Sequence, residues 1–317
     1  MQDSNTPANA ISKLMLGTVA LGLDYGIANP TGKPGLQESN DILSFALNAG
    51  INAFDTARTY GTAEQLLGDF LSGNEKGKPV NIVTKFKIDP KNIQDRKKSR
   101  EEVFESVKAS LGHLKLQQVP VCLFHMNREL PRQAVMDVIP GIFEELLEAG
   151  LIGMAGISID HPAEAEWFVD QPIIKALQVP MNVFDQRLLN NGMLNELHAR
   201  GKMVFVRSIF LQGLFFLKSE ELKGNLVKAA PYLYQLQALA DTEGMSIAQL
   251  AFSYIKEMEE VTSIVFGAEN VNQVAQNIAL ANGNPLSDDT REAIHLLFAT
   301  IPENIITPGN WGAVANA

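Results

Sequence analysis

Cysteine is almost missing from this 317-residue chain; a single one, Cys122, stands in the whole sequence. One cysteine excludes an intrachain disulfide and fits a reducing compartment. Its place inside an apolar run reads as a buried, inert thiol. Histidine is scarce too, with five copies and no H-x-x-x-H pair, so no metal ligand set is expected. The absence of G-x-S-x-G removes the usual nucleophile elbow of hydrolases. Apolar residues make up 46% of the chain, yet they are too evenly spread for a membrane span. The opening Met1-Gln-Asp-Ser-Asn-Thr lacks the basic-then-apolar order of a signal peptide. Positive charge is in deficit, and a net charge of −10 argues against nucleic acid or an anionic membrane as partner. A soluble cytoplasmic protein is the expectation.

What the chain has is alternation. Apolar strand-like runs at 14–18, 51–55, 80–85, 119–125, 152–158, 173–179, 203–207 and 263–266 are separated by longer stretches. Of these, 38–48, 63–71, 100–114 and 131–149 carry the three-to-four spacing of helices. Gly50, Gly150 and Gly201 follow helical stretches, where a left-handed closing residue is favoured. Eight such units with no linker or shift in composition predict a single-domain α/β fold over 1–317, a (β/α)8 TIM barrel. An open doubly wound sheet has less support. Gly17-Thr-Val-Ala-Leu-Gly22 is not the G-x-G-x-x-G of a Rossmann site. Long connections at 24–36 and 208–231 read as ligand-covering loops, the second being too apolar for disorder. The basic run Lys97-Lys-Ser-Arg100 reads as a solvated helix start beside Glu101 and Glu102.

Three successive runs end in one ionisable side chain each, Asp55, Lys85 and His125, and Tyr60 follows the first by five residues. Barrels bind ligands at the C-terminal rim of their strands, where these side chains fall. A tyrosine hydroxyl titrates near 10, and a neighbouring ammonium is expected to lower that value. A carboxylate beside the ammonium keeps it charged and placed, while a histidine donates to the substrate oxygen. Asp55, Tyr60, Lys85 and His125 are therefore the parts needed to protonate a carbonyl oxygen while something else adds to its carbon.

The stretch Phe54-Asp-Thr-Ala-Arg-Thr-Tyr-Gly61, with Glu64 and Leu67-Gly68, then Val83-Thr-Lys85 and Leu123-Phe-His125, resembles the aldo-keto reductases. The resemblance runs from Leu14 to Trp311. It implies that Asp55, Tyr60, Lys85 and His125 form a catalytic tetrad with Tyr60 as general acid. It also implies an NAD(P)H cofactor lying extended across the barrel rim and an aldehyde or ketone, or the matching alcohol, as substrate. The stretch Gly22-Leu-Asp-Tyr-Gly-Ile-Ala-Asn-Pro-Thr-Gly-Lys-Pro34 is similar to a bacterial branch often found with surface-polysaccharide genes, which implies a sugar-like carbonyl.

By the same resemblance, Ser158 and Gln178 match carboxamide contacts, although the usual asparagine after the serine is Ile159 here. Arg207 stands where many members stack an aromatic ring on the nicotinamide, and a guanidinium plane can also stack. Ser208, Phe210, Gln212 and Gly213 match the loop over the pyrophosphate, and Gly17, Thr18 and Gly267 match strand-end cofactor positions. Asn270 with Gln273 reads as a capped helix start, with Asn277 one turn on, and helix N-termini attract anions. The segment 266–277 has no cation but has Glu269, which would repel a 2′-phosphate and accept from a free 2′-hydroxyl, favouring NADH. Tyr25, Arg58, Met126, Asn127, Arg128 and Trp311 are candidate pocket residues. Arg58 and Arg128 would suit an acidic or phosphorylated substrate, or else pair with a nearby acid. Two rival readings stand beside the reductase. One is a nucleotide-binding regulatory subunit on the same fold, and the other a Schiff-base aldolase using Lys85.

Overall fold

The computed structural model describes residues 10–27, 29, 32–73 and 79–311. Eight strands close into a parallel barrel in sequence order: β1 (Leu14–Gly17), β2 (Ala53–Asp55), β3 (Asn81–Phe86), β4 (Val121–His125), β5 (Ala155–Ser158), β6 (Ile174–Pro180), β7 (Met203–Arg207) and β8 (Ser263–Gly267). Closure is made by β1, which pairs Leu16 with Phe54 of β2 and Leu14 with Ile264 of β8. This is the (β/α)8 architecture the alternation predicted. Strands β2, β4 and β5 begin later than their apolar runs. Ile51 is buried ahead of β2, and Val119 and Ile152 meet in one isolated bridge before β4 and β5 begin.

Helices Leu36–Asn48, Ala63–Gly73, Arg96–Leu114 and Arg132–Glu148 follow the first four strands on the outside. The third starts four residues earlier than its apolar spacing indicates, because Asp95 caps it by accepting from the Lys98 N–H at 3.1 Å. The basic run thus lies in the first turns of that helix, where Arg100 and Arg96 pair with Glu145. Gly50, Gly150 and Gly201 close their helices with φ of +90°, +66° and +66°.

Strand parity decides what faces where, since successive side chains point to opposite sides. Met15, Ala53, Val83, Val121, Leu123, Ala176 and Phe205 fill the barrel interior, while Leu16, Phe54, Ile82, Cys122 and Phe124 pack outward beneath the helices. Counting in twos from the interior set reaches Asp55, Lys85, His125, Gln178 and Arg207. Each is the next inward position toward the C-terminal rim. Burial of Cys122 on the outer face pushes its thiol pKa up, so it is an inert packing residue.

Candidate active site

The inward positions at the rim meet. Lys85 Nζ donates to Asp55 Oδ1 at 2.6 Å, to the Thr56 carbonyl at 2.9 Å and to Tyr60 Oη at 3.5 Å. These three contacts match the three protons an ammonium can donate. Asp55 Oδ1 also accepts from Gln178 Nε2 at 2.7 Å, and Gln178 Oε1 accepts from Ser158 Oγ at 3.1 Å. A continuous chain therefore runs from Ser158 on β5 through Gln178 and Asp55 to Lys85 and Tyr60. Thr18, at the end of β1, donates both its N–H and its hydroxyl to the Asp55 carbonyl, at 2.8 and 3.0 Å. Sequence reading placed Thr18 near a cofactor; here it anchors the backbone of Asp55.

Tyr60 owes its place to two close approaches. Gly61 takes φ +56°, and a side chain there would strike the Gly22 carbonyl. A side chain on Gly22 would in turn strike the Tyr60 carbonyl. Only bare backbone lets these two loops touch, and that contact aims the Tyr60 ring over Lys85, whose Nζ lies 4.9 Å from the ring centroid.

Electrostatics depart from the simplest expectation. The Tyr60 pKa is raised above its ordinary value rather than lowered, by burial first and the Asp55 charge second, with Arg207 opposing. Lys85 is lowered, mainly by burial, against the stabilising charge and hydrogen bond of Asp55. Because Asp55 sits against the ammonium, it cancels much of the field that Lys85 would otherwise exert on the phenol. His125 is pushed down to about 2 by burial and by the charges of Lys85, Lys87 and Arg207. Its Nδ1 is buried without a hydrogen-bond partner. Burial and those charges both favour the neutral imidazole.

Arg207 donates to the Ile159 carbonyl at 3.0 Å, to Asp160 Oδ1 at 3.4 Å and to Ser208 Oγ at 3.3 Å. Just beyond it the backbone turns through Ser208, Leu211 and Gln212 at positive φ (64°, 48° and 53°), then Gly213 at 93°. Three non-glycine residues in this region over six positions mark a locally strained loop, a feature concentrated where backbone is presented to ligands. Phe210 packs its ring 5.2 Å from Phe216, fixing the loop to its own apolar continuation. Gln212 donates to Tyr25 Oη at 3.2 Å, which ties the loops after β1 and β7 together across the rim. Tyr25 is 42% exposed, and Ala28, Pro30 and Thr31 of the 24–36 connection lie outside the described residues.

At the β8 end, Gly267 is exposed with nothing within 4 Å of where a Cβ would be. Gly17 instead packs against the β8 backbone and Val265. Helix Val271–Ala281 starts at Asn270, whose Oδ1 accepts from the Gln273 N–H at 3.0 Å. Gln273 Oε1 returns a bond to the Glu269 N–H at 2.7 Å, and Gln273 Nε2 reaches Glu269 Oε2 at 3.4 Å. Burial raises the Glu269 carboxyl, opposed only by that Gln273 hydrogen bond. Asn277 donates to the Gln273 carbonyl at 2.8 Å and is buried in the helix. This donor set fits an extended dinucleotide. A hydroxyl and amide pair, Ser158 and Gln178, lies at β5 and β6, a strained loop of backbone N–H groups follows β7, and an open helix start follows β8.

The candidate substrate residues separate. Arg58 leaves the site; its Nη1 donates to Glu64 Oε2 at 2.8 Å and lies 2.7 Å from His113 Nδ1. Glu64 also accepts from Thr84, an outward residue of β3, at 2.6 Å. Arg58 thus braces the outer wall, and the expectation of a pocket role is corrected by that buried acid. Trp311 is buried and donates Nε1 to the Ile305 carbonyl at 2.8 Å, so it anchors the last segment instead of lining a pocket. Met126 is buried in the core. Asn127 and Arg128 do line a cavity of about 450 Å³ at the C-terminal rim, together with Arg207, whose charge also acts on Tyr60 and His125. Its remaining walls include Asp160, Arg187 and Thr307, which sequence reading did not single out. Asp160 was within reach, two residues past Ser158. Arg187 and Thr307 come from segments with no motif.

Comparison with known proteins agrees with this geometry. The model of the aldo/keto reductase family matches residues 13–297. An uncharacterized oxidoreductase from Bacillus subtilis is 24% identical over 306 residues, covering 90% of this chain and 92% of its own. An NADH-specific methylglyoxal reductase from Escherichia coli is 28% identical over 307 residues, covering 88% and 92%. Among solved structures, the holo form of an aldo-keto reductase from Bacillus halodurans superposes with a TM-score of 0.76 at 23% identity, over 96% of this chain and 98% of that one. A glycerol dehydrogenase from Gluconobacter oxydans does so with a TM-score of 0.70 at 21% identity, over 94% and 96%. The chain belongs to the aldo/keto reductase family of oxidoreductases.

Proposed function

We propose that the protein moves hydride between a nicotinamide dinucleotide and a small aldehyde or ketone, or the matching alcohol, with Tyr60 handling the proton. The observation that carries this reading is the contact chain from Asp55 through Lys85 to Tyr60 at the barrel rim. A carbonyl oxygen within reach of Tyr60 Oη would receive its proton as negative charge develops there. Burial and Asp55 keep Tyr60 protonated, which is the state an acid needs before a reduction. Lys85 at 3.5 Å offsets the charge left on the phenolate. His125, neutral and half-buried, orients the substrate oxygen through a hydrogen bond and adds no charge of its own. The cofactor, when bound, supplies or accepts the hydride. Ser158 and Gln178 would hold its amide end, and the loop 208–213 would cover its middle.

NADH is the assigned nucleotide in preference to NADPH. Glu269 at the helix start would accept from a 2′-hydroxyl and repel a 2′-phosphate, and no cation opposes it among the groups that shift its carboxyl. The name of the Escherichia coli relative, an NADH-specific methylglyoxal reductase, supports the same choice. A polar, sugar-like carbonyl suits the amide and guanidinium lining of the cavity. Fluorescence titration with NADH and NADPH side by side tests the reading. Tighter NADH binding is expected. Tighter NADPH binding would remove the role given to Glu269, and no binding of either would remove the reductase reading.

A further inference from the structure

We infer that the rim cavity walled by Asn127, Arg128 and Arg207 takes the far end of the carbonyl substrate, and that this end carries an anionic oxygen group held by Arg128, with Thr307 as a neutral donor. The inference rests on the reductase reading and adds the substrate's chemical class to it.

The cavity wall offers free donors and few free acceptors. Asn182 Oδ1 already accepts from the Phe184 and Asp185 N–H groups at 2.9 and 3.0 Å. Asn127 Oδ1 is taken by the Glu129 N–H at 3.1 Å, and Asn310 Oδ1 by Arg128 at 3.4 Å. On the donor side, Thr307 is 4% exposed, and its hydroxyl has no hydrogen-bond partner. Arg187 Nη1 is likewise buried without one, although Glu303 lies 3.4 Å away. Leaving buried donors unpaired is costly, and an acceptor-rich group entering the cavity relieves that cost.

The three guanidinium groups on the wall are not equivalent. Arg187 is clamped by Asp185 through two bonds of 2.8 Å, and Arg207 is shared between Asp160 and the Ile159 carbonyl. Arg128 makes no ion pair within 4 Å among the described residues; it donates to the Asn310 amide oxygen at 3.4 Å, and its charge reaches Glu164 only at longer range. It is exposed on a long stem, as is the neighbouring acid Glu129 on the same wall. A planar fork of donors with no acid of its own suits a carboxylate or a phosphate ester.

Matched substrate pairs test this: succinic semialdehyde against butanal, and glyceraldehyde 3-phosphate against glyceraldehyde. In at least one pair the anionic member should show kcat/KM about tenfold higher or more. Which pair responds separates a carboxylate from a phosphate. Arg128→Gln should bring that ratio close to one, and Thr307→Val should lower it by a smaller factor. Ratios near one in both pairs, or a preference that survives Arg128→Gln, would overturn the inference. If no carbonyl is turned over, calorimetric titration with succinate and with inorganic phosphate decides. Binding lost in Arg128→Gln would keep the anion site and sink the reductase reading. No heat with either anion would sink the site.

Discussion

Lys85 and Lys202 are both buried lysines on barrel strands or at their start, one at each end of the barrel, and their neighbours differ. Lys202 precedes β7 at the N-terminal end, where its Nζ donates to the Gln171 and Ile174 carbonyls at 2.7 Å each. Burial pushes its pKa down to about 8, opposed by the charge of Asp170, and no carboxylate among the described residues forms an ion pair with it. Lys85 at the C-terminal end donates to a carboxylate, a carbonyl and a phenol. Lys13 repeats the first pattern, donating to the Val261 carbonyl at 2.5 Å. At the closed end, then, lysines satisfy backbone carbonyls that strand ends leave unpaired. At the open end a lysine couples two titratable side chains. The same residue type is structural or chemical according to whether its partners can exchange protons.

That contrast breaks first at Tyr60. Tyr60→Phe removes the proposed proton donor and keeps the ring, so kcat should fall by about a thousandfold or more if Tyr60 is the general acid. Nucleotide binding, followed by fluorescence, should stay near the wild-type value; joint loss of both would count against the acid role. His125 gives the next effect. The unfolded chain takes up a proton near 6.5, whereas folding holds this imidazole neutral to about 2. The folded state therefore loses stability as pH falls from about 6.5 toward 2, because the unfolded state binds the extra proton. His125→Asn should flatten the acid limb of a denaturation profile across that window. An unchanged limb would show that the imidazole is solvated and titrates normally.

At the other end, Lys202→Met should leave turnover at the wild-type level and cost about 1–2 kcal/mol of stability, since two carbonyls lose their donor. A fall in kcat with unchanged melting temperature would dissolve the distinction between the two ends. The smallest change is expected at Glu269. Glu269→Lys should shift the NADH-to-NADPH affinity ratio by about tenfold toward NADPH, the size of one charge-assisted contact at a half-exposed site. A ratio that does not move would mean that the carboxylate faces only Gln273.

Much of this was legible in the sequence because it depends on local pattern. Parity within a run such as Asn81-Ile-Val-Thr-Lys-Phe86 puts Lys85 on the same face as Val83, whatever the strand pairs with. Asn270 with Gln273 marks a helix start by chemistry confined to four residues. Other features were not legible because they depend on who arrives from far away. Arg58 and Arg128 look alike as isolated arginines near strand ends. Glu64 and His113 claim the first, and the Asn310 amide meets the second. The direction of the Tyr60 shift depended on burial and on how closely Asp55 sits against Lys85.

The sequence by itself determined the eight strand units, the helix ends at Gly50, Gly150 and Gly201, and the set Asp55, Tyr60, Lys85 and His125. Each follows from short-range rules of period, turn geometry and residue type. Tertiary structure alone decided that Gln178 and Thr18 hold Asp55, that Trp311 serves as an anchor, and that Arg128 and Thr307 share one cavity. The bond between Asp55 and Gln178 alone joins residues 123 positions apart. Closing a barrel creates neighbours that no sequence period encodes, and the solvation of each charge is fixed only when those neighbours arrive.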